Sequence, residues 1–184
     1  MRKIKKVNST MNDLLKSKPT KKYSTVAKIF HWGFVLVFLY GIYKQVDELE
    51  ELADNSLLRF ELVFATVFAF LLVVRFVYMK TTQTSALPSN TSNLQKIAAK
   101  IVHNGMYACL ASIVTSGILI GILYWANIKN GFVIESVISV HETSFTLIYG
   151  LIAIHIIAAI YHRFLQDGVW NSMVPIWKEQ SKPD

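Results

Sequence analysis

Polar and apolar residues along this chain do not alternate; they separate into long blocks. Four apolar blocks run over 26–46, 57–79, 101–126 and 141–163, divided by short polar stretches. The first contains IFHWGFVLVFLYGIY and the second ELVFATVFAFLLVVRFVYM; the third has no charged side chain. Each reaches the roughly 20 residues that a spanning helix needs. In lipid the backbone must satisfy its own hydrogen bonds, so the blocks predict helices. Short connections make neighbours antiparallel, which predicts an all-α membrane protein, an up-down four-helix transmembrane bundle. The expected organisation is a basic tail over 1–22, the bundle over 23–166 and a C-terminal segment over 167–184. Trp170 and Trp177 suit an interfacial position in that last segment.

Composition agrees with this pattern. Of the 184 residues, 53% are apolar and 17% charged, and the mean hydropathy is +0.38. Soluble domains carry about 25% charged residues. The single cysteine, Cys109, excludes an intramolecular disulfide, a cysteine-based zinc or iron–sulfur site, and a Cys-x-x-Cys-His haem attachment. No apolar core followed by small residues marks the N-terminus, so no cleaved signal peptide is expected.

The net charge of +7 is distributed by topology. Nine basic residues, Arg2 to Lys28, precede or open the first helix, whereas the loop over 47–54 reads DELEELAD. Lys80, Lys96 and Lys100 flank the second connection, and Arg163, Lys178 and Lys182 follow the fourth helix. The positive-inside rule then places both termini in the cytoplasm. The basic tail can rest on anionic lipid or serve as a solvated topology signal. Charge placed this way is no argument for nucleic acid, and no nucleic-acid partner is expected.

Five histidines, His31, His103, His141, His155 and His162, all fall within or at the ends of the apolar blocks. Ionisable groups inside membranes are rare and usually functional. His141, His155 and His162 recur at 14 and then seven residues, close to one helix face. His31 and His103 each lie three residues past a lysine. His155 lies eight before Arg163, about 12 Å in. These three form an inner layer, with His162 just below it and His141 alone at the outer end. An interhelical hydrogen bond explains one such histidine. Several at matched depth point to haem, whose iron imidazole binds well. Depth alone admits any two of His31, His103 and His155 as ligands.

The chain resembles the bacterial cytochrome b561 family from residue 23 to about 173. The resemblance rests on AKIFHWGFVLV, LLVVRF, AAKIVHNGMYACLASIVTSGILIG and, most closely, HETSFTLIYGLIAIHIIAAIYHRFLQDGVWNSM. It implies a four-helix membrane cytochrome with two b haems that exchanges electrons with quinone. Some members oxidise superoxide, and related cytochromes are membrane subunits of hydrogenases and formate dehydrogenases. The resemblance further implies that His31 and His155 hold the inner haem and His141 one side of the outer haem. The family's remaining ligand stands 14 residues before the helix-2 arginine, here Arg75. That position is Glu61, and the second block contains no histidine. A buried carboxyl tends to protonate and is a poor axial ligand. One haem b is therefore expected, with a second at the outer site doubtful. Glu61 is expected at the outer interface or paired with Arg59. Phe60, Phe64 and Phe68, spaced at i, i+4 and i+8, are available to refill the outer cavity or simply to pack.

Arg75 suits a haem propionate, or it snorkels to the inner surface. His103 and His162 suit the head group of a quinone that takes up protons, or structural roles. Gly33, Gly117 and Gly121 suit close helix or haem approach. Three functions follow: a one-haem cytochrome working with quinone near the cytoplasmic face, a two-haem superoxide oxidase, or an auxiliary subunit of a larger respiratory complex. The first is expected, as an electron-transfer cytochrome and a possible quinone-linked oxidoreductase. The acidic outer loop repels an anion such as superoxide. Expected contacts are quinone, membrane lipid, and a second copy or a parent complex.

Overall fold

A computed structural model describes residues 22–46 and 49–179. Four long helices carry the chain back and forth: α1 (Thr25–Tyr43), α2 (Asn55–Thr82), α3 (Asn93–Trp125) and α4 (Phe132–Leu165). A 3-10 turn (Leu49–Ala53) precedes α2, and a short α5 (Val169–Met173) follows α4. All four long helices are long and apolar enough to cross a membrane. The chain is an all-helical, multi-pass membrane protein.

Three of the four long helices start on a side-chain cap. The Ser24 hydroxyl accepts from the Ala27 N–H at α1, and the Asp54 carboxylate accepts from the Ser56 N–H at α2. Ser92 and Gln95 form a reciprocal capping box at α3. Such caps satisfy N–H groups that a helix start leaves orphaned. The capping box explains why α3 begins eight residues before its apolar block at Ile101. Its first two turns carry Gln95, Lys96 and Lys100 beyond the apolar stretch. Similarly, α4 begins at Phe132, so His141 lies nine residues in rather than at the helix opening.

Neighbours pack in sequence order, α1 on α2, α2 on α3, and α3 along α4. The backbones of α1 and α4 have no comparable approach, which leaves a seam between them. One core cluster joins Phe34 of α1, Phe68 and Leu72 of α2, Leu110, Ile113 and Val114 of α3, and Ile148 of α4. A second gathers Leu52, Leu58, Ile120, Tyr124 and Ile134 at one end. That far end holds the α1–α2 and α3–α4 connections. The other, the terminal end, holds the start of α1 and the end of α4, joined by Lys28 Nζ donating to the Asn171 carbonyl at 3.1 Å. Outside the cores the helices present large apolar side chains such as Leu36, Phe70 and Ile157, each about two-thirds exposed, as a lipid-facing surface requires.

Candidate haem site

At the terminal end three histidines from three helices converge. The ring centres of His31 (α1) and His155 (α4) are 6.4 Å apart, with planes at 61°. His103 (α3) lies 5.1 Å from His155, at 81°. The layer expected from depth is thus assembled in space. His31 and His155 are half-buried, and His103 is exposed at the edge. His103 donates from Nδ1 to the Ala99 carbonyl at 2.6 Å, which leaves its Nε2 as a free acceptor.

Arg75 of α2 reaches this cluster. Its Nη2 donates to His31 Nδ1 at 2.8 Å. Its guanidinium lies 5.0 Å from the centre of the Phe34 ring and 5.8 Å from that of Tyr107. Its Nε is buried and has no hydrogen-bond partner among the described residues. Arg75 therefore faces the bundle and does not snorkel. Phe34 and Tyr107 went unnoticed in the sequence, where one aromatic among many carries no signal.

His141 stands apart, toward the far end. Its Nδ1 donates to the Ser116 hydroxyl at 2.8 Å, and that hydroxyl donates on to the Ser112 carbonyl at 2.6 Å. Its ring seats on Gly117, where an added Cβ would come within 3.2 Å of His141 Cε1. One turn on, a Cβ at Gly121 would come within 2.5 Å of Leu62. The α3 glycine face is thus occupied by an imidazole and a leucine. Gly33, by contrast, has nothing within 4 Å of such a Cβ, so no close contact requires a glycine there.

Nor is the rest of the far end arranged as a ligand set. Phe60, Phe64 and Phe68 stack along α2 with ring centres 6.2 and 6.1 Å apart. Phe34 lies on Phe68 at 4.7 Å, and Tyr40 on Phe64 at 5.8 Å. The phenylalanine stripe packs between α1 and α2. A recess of about 640 Å³ opens at this end, lined in part by Tyr43, Lys44, Phe60 and Glu61. Glu61 lies at the far end as expected but makes no ion pair with Arg59, and its Oε1 is buried without a partner among the described residues. His162 is drawn away from the cluster: its Nδ1 lies 2.6 Å from Asp167 Oδ2.

A family model for prokaryotic cytochrome b561 matches residues 22–175. The chain belongs to that family. No curated relative and no solved structure matches it. Family membership makes this protein a b-type cytochrome engaged in electron transfer, with a b haem as its implied cofactor.

The terminal end of this cytochrome fits such a group. His31 and His155, with ring centres 6.4 Å apart, could offer imidazoles to a haem iron, and His103, 5.1 Å from His155, would flank the group. The unpartnered Arg75 Nε supplies a buried cation able to bind a haem carboxylate.

Proposed function

We propose that this cytochrome b561 carries one b haem at its terminal end, between His31 and His155, and passes electrons to or from a quinone there. The observation that carries this reading is the 6.4 Å separation of the two rings across the α1–α4 seam. A b haem, when bound, supplies one-electron transfer; the chain's own residues hold and orient it. His31 can offer Nε2 to iron only with its proton on Nδ1. Arg75, which can only donate, must then give up that nitrogen. A haem carboxylate is the natural acceptor for the released guanidinium. His103, exposed beside His155 with a free Nε2, is placed to exchange a proton with a quinone head group. The positive-inside pattern supports the cytoplasmic face as the location.

A second haem, and with it superoxide oxidation, is disfavoured at the far end. Glu61 stands where a histidine is needed, and Leu62 and His141 occupy the glycine face. The acidic 47–54 stretch also repels an anion approaching from that side. The test is the haem-to-protein ratio of the purified protein, by pyridine haemochrome absorbance against amino-acid analysis. One haem per chain is expected; two would overturn the single-haem reading. Orientation has its own check. Membrane-impermeant thiol labelling from outside should modify a cysteine placed within 49–54 and spare one within 84–91.

A further inference from the structure

Residues 167–179 form a strap that leaves α4, turns at Gly168 and crosses to α1. Several contacts hold its shape. Arg163 donates from Nε to the Trp177 carbonyl at 2.8 Å and from Nη2 to that of Lys178 at 3.2 Å. The same guanidinium lies 4.6 Å from the centre of the Trp177 ring. The Gly168 N–H donates to Glu179 Oε2 at 2.7 Å, and the Glu179 N–H donates to Asn171 Oδ1 at 2.8 Å. Ser172 is 1% exposed. The strap is therefore a folded piece fixed to the end of α4.

From this base two contacts reach α1. Lys28 Nζ donates to the Asn171 carbonyl, and Trp32 Nε1 donates to the Met173 carbonyl at 3.2 Å. Lys28 and Trp32 are four residues apart, on one helical face, and Trp32 adjoins His31. The other polar side-chain links of α1, from Ser24 to Tyr78 and Gln83 and from His31 to Arg75, all run to α2 or the loop after it. Among the described residues, the two strap contacts are the only hydrogen bonds between α1 and the α4 side of the bundle. They span the seam that α1 and α4 leave unpacked.

We propose that this strap is a positioning element for the histidine pair: by docking Lys28 and Trp32 it closes the α1–α4 seam at the terminal end and sets the spacing of His31 and His155. Its link to haem rests on the function proposed above, but its effect on helix spacing does not. Bis-histidine ligation tolerates little error in that spacing, because both iron–nitrogen bonds are short and directional. The strap acts by holding α1 in place and does not touch the iron. Both contacts end on backbone carbonyls, so side-chain changes within the strap leave the acceptors intact. The sensitive positions are on α1.

The experiment uses the full chain in lipid nanodiscs, with spin labels on cysteines replacing Leu36 and Ile157 in a Cys109→Ser background. Pulsed electron resonance reads the α1–α4 distance. The paired change Lys28→Met with Trp32→Phe removes both donors while keeping most of the apolar bulk. The single changes provide milder versions should the pair express poorly, and Lys28→Arg, which retains a donor, should restore the wild-type distance when it replaces Lys28→Met. We expect the paired variant to lengthen or broaden the distance distribution and to lose haem to apomyoglobin severalfold faster than wild type. An unchanged distance distribution overturns the proposal, whatever the haem does. An altered distance with unchanged haem loss leaves the strap's role in spacing standing and instead counts against ligation by His31 and His155.

Discussion

The two ends of this bundle solve the same packing problem in opposite ways. Both lie in an apolar environment where a polar side chain must find a partner, and both contain histidine. At the terminal end His31, His103 and His155 crowd together, and a cation with a partnerless Nε stands beside them. At the far end the one histidine is hydrogen-bonded to Ser116, with Leu62 one turn away on the same glycine face. Each end leaves a buried polar atom unpaired among the described residues, Arg75 Nε at one and Glu61 Oε1 at the other, and such an atom costs free energy unless a ligand meets it. Only at the terminal end does that atom stand beside histidines from three helices. What distinguishes the two ends is therefore the convergence of imidazoles on the unpaired group more than the presence of histidine.

The largest test of that contrast is a pair of substitutions. His155→Ala should reduce bound haem at least tenfold, because His155 is common to both ring pairs of the cluster. His141→Ala should leave haem content near wild type. Haem per chain in purified protein measures both, and loss confined to His141→Ala would reverse the assignment of the two ends. A second test asks whether the far end can be converted. Glu61→His alone should leave the haem count unchanged, since Leu62 sits against Gly121. Combined with Leu62→Ala, which clears that face, it should raise the count toward two. A second haem from Glu61→His alone would mean that the leucine is no obstacle.

The smallest expected effect is on stability at the far end. The Ser56 backbone N–H, with the Ser56 hydroxyl, holds the Asp54 carboxyl below its ordinary value. The ionised form is thus favoured by folding. Its contribution is fully present above the unfolded-state value of about 4 and is lost as pH falls through the lowered folded-state value. Asp54→Ala should lower the thermal midpoint slightly at neutral pH, and the difference from wild type should close under acid. A difference independent of pH would assign the cap to something other than the carboxylate.

Much of this was legible in the sequence because the membrane imposes long-range order on the pattern. Four apolar blocks become four helices; equal distances from Lys28 and Lys100 place His31 and His103 at one level, and the eight residues to Arg163 put His155 in the same inner layer. The exact starts of α3 and α4 were not legible, since polar first turns extend a helix beyond its apolar block. That error put His141 at a helix opening when it lies nine residues inside. The partners of Arg75 and His162 depend on rotations about the helix axes, which hydropathy does not record. The reach of the strap to Lys28 and Trp32 was equally hidden, since both contacts end on backbone carbonyls with no side-chain signature.

The serines between α3 and α4 have a consequence for how the protein is assembled. Ser144 donates to Ser112 at 2.8 Å, and His141 donates to Ser116, the two links lying one turn apart along the pair. Interhelical hydrogen bonds within membranes contribute on average about 0.6 kcal/mol each, too little to drive association alone. They are directional, however, and a one-turn slip of α4 along α3 would leave one polar group on each helix without its partner. The α3–α4 pair therefore carries alignment marks that depend on neither α1 nor a cofactor. The second half of this cytochrome is thus a hairpin with a register of its own, a fixed wall against which the first half can adjust.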